Sequence, residues 1–170
     1  MANRKCVYLT EGECEGKLIK ALKEKPSLVI PGRIKKFNAI QNELKVSQLM
    51  MFEPGSIVVL VFDTDKEITE HLKKNIEFLK KRCEKIEVLT IAQVLNFEDE
   101  IESSTDVARA QDLTKSQSVT DFKTAVNRMK ETEFRSALKR YKFDMTKLWT
   151  KNPPKAFSFV KQDAEKVKEQ

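Results

Sequence analysis

The chain has 170 residues, 40% hydrophobic and 34% charged, with a formal net charge of +6 and a pI of about 9.1. That length supports one domain with a sizeable core and a small appendage, and the mild basic excess permits a polyanionic partner without demanding one. No apolar run nears the roughly 18 residues of a membrane span, Cys6, Cys14 and Cys83 lack zinc-like spacing, and Met1 to Lys5 carry no signal-peptide pattern, so a cytoplasmic protein in a reducing compartment is expected.

Residues 6–10 (C-V-Y-L-T) read as a first strand, ending at Glu11-Gly12. A helix is expected over 13–25, with Leu18, Ile19 and Leu22 at helical spacing and Pro26 beyond its end. Residues 27–30 (S-L-V-I) read as a second strand closed by Pro31-Gly32, then 33–37 as a basic loop and 39–52 as a helix. Residues 57–62 (I-V-V-L-V-F) are apolar without a break and rich in β-branched types, the mark of a strand buried on both faces. It runs into Asp63 and Asp65. A long helix is expected over 67–85, with Ile68, Leu72, Ile76 and Leu79 inward, and a fourth strand over 86–91. Strand and helix in alternation predict a parallel sheet with right-handed crossovers.

After residue 91 the character changes. An acidic cluster at 96–102 opens a helix, and 119–129, 133–141 and 145–149 read as short helices with Trp149, Leu148 and Phe143 in their core. Lys123, Arg128, Lys130, Arg135, Lys139, Arg140 and Lys142 make that region basic. These charges either guide a nucleic-acid backbone or simply solubilise amphipathic helices. The expected division is an α/β domain over 1–102, a helical extension packed on it over 103–160, and a charged, frayed or loosely helical tail over 161–170.

The chemistry lies at the strand ends. Asp63 and Asp65, two apart on an extended segment, point the same way, and ligands of open α/β sheets bind past the C-terminal ends of the strands. Glu11 ends the first strand, so three carboxylates converge if the first and third strands are adjacent. Like charges this close need a cation, and hard oxygen ligands suit Mg²⁺ or Mn²⁺. His71 is the only histidine and reads as a surface residue, which disfavours triads built on His.

Two motifs, V-Y-L-T-E-G-E-C-E from Val7 to Glu15 and V-V-L-V-F-D-T-D from Val58 to Asp65, resemble the Toprim (topoisomerase–primase) domain. That family has Glu-Gly-x-x-Asp/Glu after one strand and Asp-x-Asp after a later one, with a Gly after its second strand, where Pro31-Gly32 falls here. The resemblance covers residues 5–92 and implies an α/β, Toprim-like parallel sheet of about four strands with a helical C-terminal extension. It implies Glu11 as metal ligand or general acid/base, and Asp63 and Asp65 as holders of Mg²⁺ or Mn²⁺. Glu15 takes the family's acidic helix position and either reaches the site or favours the helix start. The Asn96-Phe97-Glu98-Asp99-Glu100 segment is similar to one in small Toprim nucleases related to the overcoming-lysogenization-defect nucleases of phage defence and mobile elements. It implies Glu98, and after it Glu100, as further metal ligands. Arg33, Lys35 and Lys36 on the rim either grip phosphates or are ordinary solvated loop charge, with Lys17 and Lys66 close to the acids.

The resemblance therefore implies Mg²⁺-dependent cleavage of DNA or RNA phosphodiesters. The alternative is a non-cleaving module of the same shape that binds nucleic acid or protein and works with a separate ATPase partner. The chain itself has no G-x-x-x-x-G-K-[ST] phosphate loop.

Overall fold

The structure, a computed structural model, describes residues 4–83 and 85–169. Strands β1 (Cys6–Thr10), β2 (Arg33–Lys36), β3 (Ile57–Asp63) and β4 (Glu87–Gln93) form one parallel sheet in the order β2-β1-β3-β4. The first and third strands are thus neighbours, as the convergence of Glu11 with Asp63 requires. The helices are α1 (Glu13–Lys23), α2 (Glu70–Arg82), α3 (Phe97–Ser104), α4 (Val119–Arg128) and α5 (Glu131–Arg140).

Alternation along the strands divides the core into two layers. Tyr8, Val59, Val61, Leu89 and Ile91 pack with Leu18, Leu22, Phe97, Phe122 and Phe134 of α1, α3, α4 and α5. Val7, Leu9, Val58, Leu60 and Phe62 pack on the other face with Leu72, Leu79 and Phe157. Every residue from Ile57 to Phe62 is buried, which is why that run tolerates no polar residue. Each such side chain contributes about 1.5–3 kcal/mol of burial.

Four expectations need correction. Residues 27–30 do not join the sheet; Val29 makes only an isolated antiparallel bridge to Lys168. The second strand is Arg33–Lys36, expected to be a loop. As an edge strand with three exposed cations it needs no apolar pattern. Gly32 admits it: a Cβ there would lie 2.6 Å from the Cys6 carbonyl oxygen, so only glycine lets the chain close on β1.

Second, 39–52 is not a helix. Asn38 turns the chain by accepting from Ile40 N and Gln41 N, both at 3.0 Å, and a 3-10 helix follows at Val46–Met51. Buried Asn75 of α2 pins the turn, accepting from Leu44 N at 2.7 Å and donating to the Ala39 and Asn42 carbonyls. α2 itself starts at Glu70, three residues later than its apolar spacing implied. Third, 145–149 is a turn that carries Trp149 into the core at a φ of 56°.

Fourth, the charged tail is docked. Asp163 N donates to the Thr90 carbonyl at 2.8 Å, and Thr90 N donates back to Asp163 Oδ2 at 3.1 Å. The Gln162 amide accepts from Ala92 N at 3.2 Å and donates to Ala92 O at 2.7 Å, standing in for a neighbouring strand. Val167 is fully buried. Among the described residues, no helix is long and apolar enough to cross a membrane.

Candidate metal centre

Parallel pairing of Thr10 with Val61 brings Glu11 beside the end of β3. Glu11 is held on both oxygens: Oε2 accepts from Asp63 N at 3.1 Å and Oε1 from Asn38 Nδ2 at 2.8 Å. Asp63 pairs in register with Gln93 of β4. Its Oδ1 is shut off from solvent and has no hydrogen-bond partner, and neither polar atom of the buried Gln93 amide has one either. Glu15, in the first turn of α1, is 6% exposed with Oε2 unpartnered. Gly12 makes room for it, since a Cβ there would lie 2.7 Å from that oxygen.

Glu98 enters from the first turn of α3, whose start is capped by Asn96 Oδ1 accepting from Asp99 N at 3.1 Å. Both its oxygens are buried; Oε1 forms an ion pair with the Lys123 ammonium of α4 at 2.8 Å, and Oε2 has no partner.

The electrostatics follow from this crowding. Burial, then the charges of Glu15, Glu11, Asp65 and Glu98, push the Asp63 carboxyl up to about 9. Burial likewise raises Glu15, opposed by backbone hydrogen bonds and reinforced by Glu11. Partial burial works against the charge of Lys123, but Glu98, Asp63 and Glu15 outweigh it and raise its pKa. Among the described residues, no three His, Cys, Asp or Glu side chains are placed to hold a metal as they stand. The donor chemistry nonetheless fits a hard divalent ion: unpartnered carboxylate oxygens at Glu15 Oε2, Asp63 Oδ1 and Glu98 Oε2, beside Glu11 and Asp65.

The other expected site residues divide between the site, its rim and the rest of the fold. Glu100 is fully buried, and its oxygens accept from Val94 N at 3.1 Å and Trp149 N at 2.8 Å, so it fastens chain segments together and is not brought to the carboxylate group. Lys17 donates to the Met129 carbonyl at 2.6 Å and reaches Glu131 at 3.4 Å, stitching α1 to the α4–α5 connection. Arg33 sits opposite Val7, at the far end of the sheet from the acids. Lys35 pairs with Leu9 and Lys36 with Thr10, which places Lys36 on the rim, 3.1 Å from Glu13. Asp65 and Lys66 are both exposed.

Asn38 and Gln93 carry no signal for the site in the sequence, and Lys123 is expected there only as one of the basic charges of the C-terminal helices. Asn38 and Lys123 reach the site from segments far along the chain, and Gln93 falls just past where the apolar run of β4 ends. Two adjoining clefts of about 250 and 210 Å³ share Gly12, Glu13, Lys36 and Asn127, with Lys20 and Lys123 on their walls. They form a cationic groove leading to the acids. Comparison with family models, with curated proteins and with solved structures gives no match.

Proposed function

We propose that this protein is a divalent-metal-dependent nuclease, hydrolysing nucleic-acid phosphodiesters at the ends of β1 and β3. The observation that carries this reading is the set of buried, unpartnered carboxylate oxygens, Glu15 Oε2, Asp63 Oδ1 and Glu98 Oε2. The Toprim-like motifs at Glu11 and Asp63-x-Asp65 support it. Glu11, Asp63 and Asp65 would hold Mg²⁺ or Mn²⁺, with Glu15 and Glu98 completing the set. The bound ion supplies charge neutralisation and Lewis acidity toward a phosphoryl oxygen. Glu11 is oriented beforehand by Asn38 and the Asp63 amide, so it needs no rearrangement. Lys123 keeps its charge and stabilises negative charge building on the phosphate. Lys20 and Lys36 take neighbouring phosphates as point charges along the groove.

The test is incubation of pure protein with plasmid, single-stranded DNA and transfer RNA, with Mg²⁺, with Mn²⁺ and with EDTA. Metal-dependent cutting that Asp63→Asn abolishes is the expected result. The Lys123–Glu98 pair favours one second reading, since it offsets part of the acidic charge without a metal. On that reading the protein binds nucleic acid or a protein and cuts nothing until a separate ATPase partner engages it. Tight binding with no cutting under any metal would select it.

A further inference from the structure

The opposite end of the sheet carries a different chemistry. A cavity of about 400 Å³ opens at the N-terminal ends of β1, β2 and β3, between Gly32-Arg33 and the segment leading into β3. Its volume lies in the range of small-molecule sites. Lys5, Lys23, Arg33, Met51, Glu53 and Ser56 are among its walls. The only carboxylate of that wall, Glu53, is already neutralised: Lys5 Nζ donates to both of its oxygens at 2.6 Å. Two cations remain. Half-buried Lys23 gives one hydrogen bond, to the Gly32 carbonyl at 3.2 Å, and keeps its other protons. Among the described residues, the Arg33 guanidinium has neither an ion pair nor a hydrogen bond, so its planar fork is unspent.

Ser56 lines the same wall but is 1% exposed with its hydroxyl oxygen closed off from the cavity, so the polar chemistry open to a ligand is that of Lys23 and Arg33. Met51 supplies apolar surface beside these polar groups, suited to the flat face of a base.

We propose that this cavity is an anion site that takes a phosphate monoester of nucleotide size, with Arg33 and Lys23 holding the phosphate. The five residues of β1 separate it from the carboxylate group by roughly 17 Å at about 3.3 Å per residue, so one phosphate cannot serve both ends. The site stands independently of the nuclease reading.

Calorimetric titration with AMP, with inorganic phosphate and with adenosine tests it, in EDTA so that no metal bridges a phosphate to the acids. AMP is expected to bind with a submillimolar Kd, inorganic phosphate to compete with it, and adenosine to bind far more weakly. Arg33→Gln and Lys23→Gln should each weaken AMP about tenfold, the loss of one charge-assisted hydrogen bond. Lys123→Gln at the other end should leave it unchanged. Arg33 is exposed on an edge strand, so its replacement spares the fold, and a melting curve verifies that. Absence of AMP binding up to about 10 mM overturns the proposal. So does adenosine binding as tightly as AMP, or an affinity that follows Lys123 and ignores Arg33.

Discussion

Asp63 is an acid held in its neutral form by its surroundings. Its pKa of about 9 stands well above the ordinary 3.8, chiefly through burial and then through Glu15 and Glu11. An acid raised this way contributes stability that is fully present below the unfolded value and is lost as pH rises toward the folded one. Metal-free protein should therefore melt at progressively lower temperature from pH 5 to pH 9, and Asp63→Asn should flatten that slope and raise the melting temperature at pH 8. Scanning fluorimetry across that range decides the point. Because a ligand carboxyl must be deprotonated, Mg²⁺ or Mn²⁺ should release protons on binding and bind more tightly as pH rises, an increment Asp63→Asn removes. Asn38 makes a second case. Asn38→Asp keeps the acceptor that Ile40 N and Gln41 N use but replaces the donor to Glu11 with a like charge. Cleavage should fall by at least about tenfold, and the metal-free melting temperature should fall by a few degrees, since the lost hydrogen bond is worth about 1 kcal/mol and the new carboxylate repels Glu11. Glu11 and Asp63 were legible as residues because a strand and a glycine frame them. Asn38 was not, because its partner lies 27 positions away.

Among the elements, the basic C-terminal helices divide by what they touch. Arg135 of α5 donates to the carbonyls of Ala21, Glu24 and Pro26, closing the C-terminus of α1, and Lys142 pairs with Asp106 at 2.7 Å. Arg135→Gln should therefore lower stability and leave the salt dependence of nucleic-acid binding unchanged. Lys20→Gln with Lys36→Gln should do the reverse, reducing the slope of log affinity against log salt by about 0.7–0.9 for each phosphate no longer neutralised. Affinities at two salt concentrations separate the pair. The tail has its own test. Gln162→Ala strips both backbone partners from Ala92, and an unsatisfied buried pair costs about 1–3 kcal/mol. Denaturant unfolding should show that destabilisation, and hydrogen exchange should show the Ala92 amide opening first. β3 declared itself through unbroken apolarity, and α1 through its stripe. β2 and the tail did not, because one is a solvated edge and the other is held by side-chain amides that no periodicity encodes.

At the scale of the molecule, the C-terminal segment completes the core. Phe122, Val126, Phe134, Leu138, Leu148 and Trp149 share one cluster with Tyr8, Val59 and Ile91 of the sheet. Unfolding should be a single calorimetric transition, and residues 1–102 alone should fail to give one, being without the cover of one sheet face. The alternation of strand and helix announced that sheet. It did not announce which segments would cover it, since burial of α4 and α5 is decided by partners across the chain. The two margins of the sheet are finished differently. Residues 162 and 163 occupy the backbone of β4, whereas among the described residues β2 leaves its outer hydrogen-bonding groups uncovered, along a strand of four residues carrying Arg33, Lys35 and Lys36. A second copy approaching that margin to extend the sheet would bring three cations against three. Self-association through β2 is therefore opposed by charge alone: concentrated protein should stay dispersed at low ionic strength and begin to aggregate as added salt screens that repulsion.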